Sequence, residues 1–473
     1  MGCVSAMPTS DSLGDSREIG GLQANRLSLW ETLGQSLASI APTATPAMVA
    51  PLVLAASGRG AWLAYALATL GIVAIAAGIN TFARQSASPG SLYTFVHQSL
   101  GKWPSLITGW ALLIAYVGTA AAVTGGFTSY AYALFAGATP VPALIAVVLT
   151  VGVVLVAATL AYRDLQISVR LMLLIEAVSV LLILLLFLWP GPHSALHVDA
   201  AQFHVDGLTG NQVRAGLVLA IFSFVGFESA ASLGGEAVRP LWTIPRTISL
   251  TSILSGLFFV FVAYAESIGF GDQADVLAQS SAPLQLLAHR RGLDLFAPWL
   301  EIGSAISFFA CTLACVTAAA RTLFALARDG YLHTFYARAH QSNHTPHVAV
   351  VLVGLLVAVP TLALIVAGIG PFDIYGWVGT LATYGFITAY IVVTLAAVRK
   401  VLAQGQRRIP TLTFAAVALL VLVFAGGSSW GSDASGVYHW LPYLYLALLL
   451  LGVLISFFTP TVSVSPAIEQ SPP

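Results

Sequence analysis

The residues with the most chemistry to offer sit where a membrane helix should be featureless. Ser39 to Pro46 reads SIAPTATP, with Pro42 and Pro46 each removing an amide donor from an otherwise apolar run. Phe222 to Gly235 reads FSFVGFESAASLGG and places Gly226 and the carboxylate of Glu228 well inside a second run. Irregular backbone at membrane depth is tolerated only where it lines a protein cavity. A broken helix leaves bare peptide groups there. Amides at a half-helix N-terminus suit a substrate carboxylate, while exposed carbonyls suit an ammonium group or a cation. Proline and glycine are common in membrane helices, so one break alone decides little. The pairing of two is the signal.

The elements that carry these breaks follow from composition. Of 473 residues, 58% are hydrophobic and 8% charged. Soluble domains carry about a quarter charged residues, so this chain cannot cover a water-facing surface. Apolar runs between polar punctuation predict twelve spans: 31–56, 60–82, 104–136, 141–162, 168–189, 213–235, 246–270, 297–327, 347–368, 374–399, 411–426 and 437–459. The breaks then fall in spans one and six. Corresponding positions in two halves are what a five-plus-five inverted repeat predicts, so the expected fold class is an all-α membrane protein with discontinuous helices one and six.

Basic residues orient the bundle. With the N-terminus inside, the inner segments hold fifteen of the 19 Lys and Arg residues, and the outer ones hold Arg59, Arg214, Arg290 and Arg291. The positive-inside rule then places both termini in the cytoplasm and the bundle in the cell membrane. Two amphipathic stretches, SLYTFVHQSL and APLQLLAHRRG, are expected to lie along the inner and outer surfaces as a matched pair.

Other chemistry is thinly represented. A net charge of zero argues against a nucleic-acid partner. Cys311 and Cys315 lie four apart in an apolar run, where free cysteine behaves as a small hydrophobe. His333, His340, His344 and His347 crowd one loop without a zinc spacing, and a solvated loop is the expected reading. No nucleophile motif or ligand cluster suggests an enzyme, a metal or a cofactor. Glu266 and Glu301, near the outer ends of spans seven and eight, are expected to reach the headgroups for gating or solvation. Arg321 is expected to snorkel or to pair with an acidic neighbour. Ser307, Thr312 and Thr317 are span-eight hydroxyls open to helix packing or to a cation.

Three segments together resemble the amino acid–polyamine–organocation superfamily. Phe222 to Ile248, FSFVGFESAASLGGEAVRPLWTIPRTI, is similar to its sixth-helix signature. Ser88 to Trp110 matches its second inner loop and third helix, and Ala327 to Val350 its loop after helix eight. The span count fits as well. The resemblance implies a secondary transporter (permease) of amino acids or related amines working by alternating access. It implies a substrate carboxylate resting on amides around Ser39, Ile40, Ala41 and Thr43, with Pro42 unable to donate. The amine would meet carbonyls near Phe222, Ser223 and Val225, with Phe222 as an aromatic cover and Glu228 as a gating carboxylate.

Two departures stand out against that pattern. Many relatives carry a glycine-rich first helix where this chain has SIAPTATP. Several sodium-independent relatives place a lysine in helix five, where this chain reads RLMLLIEAVSVLL with Glu176 near that position. A carboxyl group among apolar side chains can load and release a proton near neutral pH, which makes Glu176 a coupling candidate. The alternative is a glutamate paired across helices for packing. Coupling to H+ or Na+ and exchange without an ion both stay open. Phe127, Tyr116, Tyr375, Trp377 and Tyr384 are candidates for the rest of the pocket. The expected organisation is a disordered cytoplasmic tail at 1–27 and a transport core at 28–400, with repeats at about 28–190 and 213–400. Two accessory helices at 401–460 and a tail at 461–473 complete it.

Overall fold

Ten stretches of the computed structural model are long and apolar enough to cross a membrane, among residues 18–19, 22–137, 139–163, 165–190, 194–196, 208–270, 283–404, 409–428 and 436–459, which it describes. The first stretch, Leu29–Ala83, is 55 residues long. One crossing needs about 20, so it holds two spans. The sixth expected span is not among the ten because its α-helix, Gly210–Phe222, stops after 13 residues. Two crossings in the first stretch and this broken one bring the bundle to twelve. The expected tail at 461–473 lies outside the described residues, as do residues 1–17. Part of the N-terminal tail is placed: Glu18–Ile19 pairs antiparallel with Leu22–Gln23, and Leu27 is buried and bridged to Ala237.

The packing of the spans carries the repeat. Span two (Ala61–Ala83) packs on span seven (Pro240–Phe270), span three (Lys102–Ala136) on span eight (Ala297–Arg328), and span four (Ala143–Arg163) on span nine (His347–Val366). Each thus meets its counterpart five positions later. Swapped pairs agree: span one packs on seven and six on two, while span five (Leu165–Leu188) packs on eight and ten (Pro371–Ala403) on three. The short helices Ser91–Leu100 and Pro283–Arg290 follow spans two and seven, as the matched pair requires.

Burial separates the core from the lipid-facing rim. In spans three and eight, 78% and 83% of the most apolar window is buried, against 28% in spans four, eleven (Ile409–Ser428) and twelve (Leu441–Phe458). Lipid gives no hydrophobic drive between helices, so close approach through small residues holds the core. A Cβ on Gly125 would stand 2.5 Å from the Pro371 carbonyl oxygen, and one on Gly385 2.5 Å from that of Ala111. Spans three and ten are therefore packed backbone to backbone. Trp110 donates to Ser456 Oγ at 2.8 Å and fastens span twelve to span three. Trp103, Trp189 and Trp440 are exposed.

Candidate functional site

Span one breaks where its prolines require. The α-helix Leu29–Ile40 ends at Ala41, which takes a left-handed conformation (φ 48°, ψ 72°) that is costly for a residue with a Cβ. A turn at Pro42–Thr43 leads into a π-helical stretch, Thr45–Val49, and then the α-helix Ala50–Ser57. Such π segments recur at functional sites. The expected donor set divides across this break. Ser39 and Ile40 close the first half-helix, whose C-terminal end presents carbonyls rather than amides. The Ala41 amide bonds back to Leu37 and Ala38. Amides suited to a carboxylate belong to the second half-helix, after Pro42, where the buried Thr43 hydroxyl also has no partner.

Span six breaks at the matching depth. Beyond Phe222 the backbone runs through three-residue turns: Ser223, Phe224 and Val225 donate to Ala220, Ile221 and Phe222 in order. Gly226 has φ 89°, a region that suits a residue without a side chain. The two breaks touch at this point. A Cβ on Gly226 would stand 2.9 Å from Ser39 Cβ and 3.3 Å from the Ser39 carbonyl oxygen. Ser229 Oγ donates to Ser39 Oγ at 2.7 Å, and the Ala230 amide to Ser36 Oγ at 3.0 Å. Ser223 shares a 3.0 Å hydrogen bond with the Tyr65 hydroxyl of span two.

Aromatic rings from four spans surround the junction. Phe222 is half-buried and meets Tyr375 edge-on at 5.9 Å, Tyr375 meets Phe308 at 5.9 Å, and Phe308 meets Tyr130 at 5.6 Å. Gly379 leaves room for the Phe222 ring, since a Cβ there would stand 2.6 Å from it. Glu228 is fully buried and accepts hydrogen bonds from the hydroxyls of Tyr116, at 2.8 Å, and of Tyr390. It thereby ties span six to spans three and ten. Tyr130, Phe308 and Tyr390 were not singled out from the sequence, because aromatics in apolar runs carry no periodic signal of their own. Of the other candidates, Tyr384 packs against Tyr445 of span twelve, while Phe127 and Trp377 are half-buried.

Glu176 is buried in span five, and Ser307 Oγ of span eight lies 2.8 and 3.0 Å from its two oxygens. One turn further along span eight, the Cys311 thiol donates to the Ser39 carbonyl at 3.2 Å. Span eight thus touches the carboxyl group at Ser307 and the first break at Cys311, one turn apart.

On the side that carries the N-terminus the bundle is closed. Arg321 Nε and Nη2 donate to the two carboxylate oxygens of Glu236 at 2.7 and 2.9 Å, and both side chains are buried. Arg321 therefore pairs and does not snorkel. The Glu236 carbonyl also accepts the amides of Arg26 and Leu27, so the chain before span one is bound into this closure. Two cavities described lie elsewhere: about 450 Å³ beside Trp30 and Leu174, and about 430 Å³ beside Trp62 and Phe261. Glu266 and Glu301, expected to reach the headgroups, are instead 1% and 4% exposed. Among the described residues, no group of three or more His, Cys, Asp or Glu could hold a metal.

Two facing breaks inside a helical repeat narrow the comparison, and a family model described as amino acid permease matches residues 33–430. The chain belongs to the amino acid permease family. Relatives within reach of this permease align over most of its length. An uncharacterized transporter of Mycobacterium tuberculosis (strain ATCC 25618 / H37Rv) is 28% identical over 415 residues, covering 87% of this chain and 88% of its own. A branched-chain amino acid permease of Bacillus subtilis (strain 168) is 24% identical over 410 residues, covering 83% and 82%. Mouse cationic amino acid transporter 4 is 25% identical over 397 residues, covering 80% of this chain and 59% of its own. The permease is thus a multi-pass membrane transporter of amino-acid-like solutes, of the superfamily that its sixth-span motif resembles.

Proposed function

We propose that this permease moves an amino acid or related amine across the cell membrane by alternating access, with both termini cytoplasmic. The observation that carries the reading is the contact of Gly226 with Ser39, which brings the carbonyl ends of two half-helices, Leu29–Ile40 and Gly210–Phe222, to one junction beside the start of the second half of span one. The carboxylate rests on the second half of span one around Thr43, and the amine on carbonyls near Phe222, Ser223 and Val225. Ser39, Ile40 and Ala41 supply the carbonyl side of the same break. Phe222 covers the solute. Glu228, bonded to Tyr116 and Tyr390, acts as the latch that must release before the N-terminal side opens. The excess of Lys and Arg on that side supports its being the cytoplasmic one.

Glu176 carries the coupling proton. Its support is burial with a single hydroxyl partner that itself offers no charge. Exchange without ion coupling is the second reading, favoured by the same Ser307 contact if it serves packing alone. The relatives' names differ in substrate, one branched-chain and one cationic, so they support the class and not the solute. Reconstituted vesicles decide. Saturable uptake with the solute recovered unchanged supports the carrier, and conversion to a new compound counts against it. Accumulation driven by an imposed pH gradient separates symport from exchange.

A further inference from the structure

Two buried carboxyl groups play no part in the mechanism above. Glu266 of span seven is 1% exposed and neither of its oxygens has a hydrogen-bond partner. Glu301 of span eight is 4% exposed and its Oε1 is likewise unpartnered. A buried carboxyl without a partner holds a proton or meets a counter-charge, and a cationic solute would supply the second.

Helical register shows where they point. Glu266 follows Phe259 by seven residues on one helix face, and Phe259 meets Phe224 at 5.0 Å and Tyr65 at 5.9 Å. Glu301 precedes Phe308 by seven, and Phe308 meets Tyr130 and Tyr375. Span seven leads away from the N-terminal side and span eight returns, so both carboxyls stand two turns, about 10 Å, beyond the aromatic junction toward the far face. Tyr130 lies within electrostatic range of both, and its hydroxyl donates to the Ala47 carbonyl in the π-helical stretch at 2.9 Å. The short helix Pro283–Arg290 packs on that stretch and on span eight, above the pair. The basic groups of this region have partners of their own, and Arg291 Nη2 also lies beside Gly269, one turn beyond Glu266. Arg291 Nη1 donates to the Leu186 and Phe187 carbonyls, Arg290 stacks on Phe270 at 4.6 Å, and His289, within range of Glu301, pairs with Asp294.

We propose that Glu266 and Glu301 flank Tyr130 as a subsite for the second positive charge of a dibasic solute, an ammonium or guanidinium carried one extended side chain beyond the group gripped at the broken helices. The inference rests on the transport reading above and adds a substrate class to it. A solute of the length of lysine, arginine or 1,4-diaminobutane spans the two sites, whereas a neutral amino acid leaves the carboxyls unanswered.

The test uses the purified full chain, with thermal shift and competition for uptake in vesicles, and L-leucine, L-lysine, L-arginine and 1,4-diaminobutane as probes. In the wild type the dibasic probes bind more tightly than leucine. In E266Q and E301Q the ratio of lysine to leucine affinity falls at least tenfold, and E266D, which restores the charge, recovers most of it. A ratio that stays within twofold in both amide variants overturns the subsite, as does equal loss of both probes. Binding of leucine without any dibasic probe by the wild type overturns the subsite alone. Binding of none of the four removes the amino acid reading and the subsite together.

Discussion

Phe222 and Glu176 show how much a single side chain is asked to do. Phe222 closes α-helix Gly210–Phe222 and leans on Tyr375 over a position where Gly379 makes room. Phe222→Ala removes that cover, and the apparent KM for uptake is expected to rise about tenfold, on the order of 1.4 kcal/mol of lost binding. Unchanged transport kinetics would remove Phe222 from the site. Among the described residues, Glu176 has the Ser307 hydroxyl as its hydrogen-bond partner. Glu176→Gln keeps the shape and the hydrogen bond but cannot take up a proton. Accumulation driven by a pH gradient should disappear while counterflow exchange persists; accumulation at the wild-type level means that another group carries the proton.

Among elements, the broken helices matter most, and their breaks are built differently. Span one is interrupted by proline, with a left-handed Ala41 and a π-helical turn taking up the slack. Span six is interrupted by glycine, and continues as tight turns that bring Gly226 against Ser39. Gly226→Ala meets both a positive φ and a Cβ 2.9 Å from Ser39, so it forces the two half-helices apart. The expected cost is about 1–3 kcal/mol, read as a lower melting temperature, together with loss of uptake. A variant that melts and transports like the wild type would show that the breaks need not touch. Gly152 makes a control, because a Cβ there meets nothing within 4 Å.

For the molecule as a whole, a buried ion pair helps to close the N-terminal side, beyond the contacts of Glu228. Arg321 and Glu236 satisfy each other with two hydrogen bonds in a setting from which water is excluded. Removing one partner leaves a buried charge without an answer, which costs about 3–5 kcal/mol, whereas replacing both with apolar side chains is close to neutral. Arg321→Met should therefore lower the melting temperature sharply, and the added Glu236→Leu should restore much of it. The double variant is also expected to expose the half of the bundle on the N-terminal side to thiol reagents, read at a cysteine placed at Ser36. Equal melting of single and double variants would show that the pair does not act as a unit.

The sequence by itself determined the solvent, the number of crossings and the location of the breaks, because each depends on local composition. Twenty apolar residues must cross a bilayer wherever they fold, and the pairing of Pro42 and Pro46 in span one with Gly226 and Glu228 in span six marked the breaks, where Pro245 and Pro360 stand inside continuous helices. The short surface helices and the sixth-span motif were legible for the same reason. Tertiary structure alone decided which groups meet. Tyr116, Glu228 and Tyr390 lie more than a hundred residues from one another along the chain, and only packing joins them. Glu266 and Glu301 look like wetted end residues by position, yet both are buried, and the helix Pro283–Arg290 packs on span eight and on the π-helical stretch, which packs on span seven. Partners far apart along a chain leave no trace in spacing, and burial is a property of what packs on top.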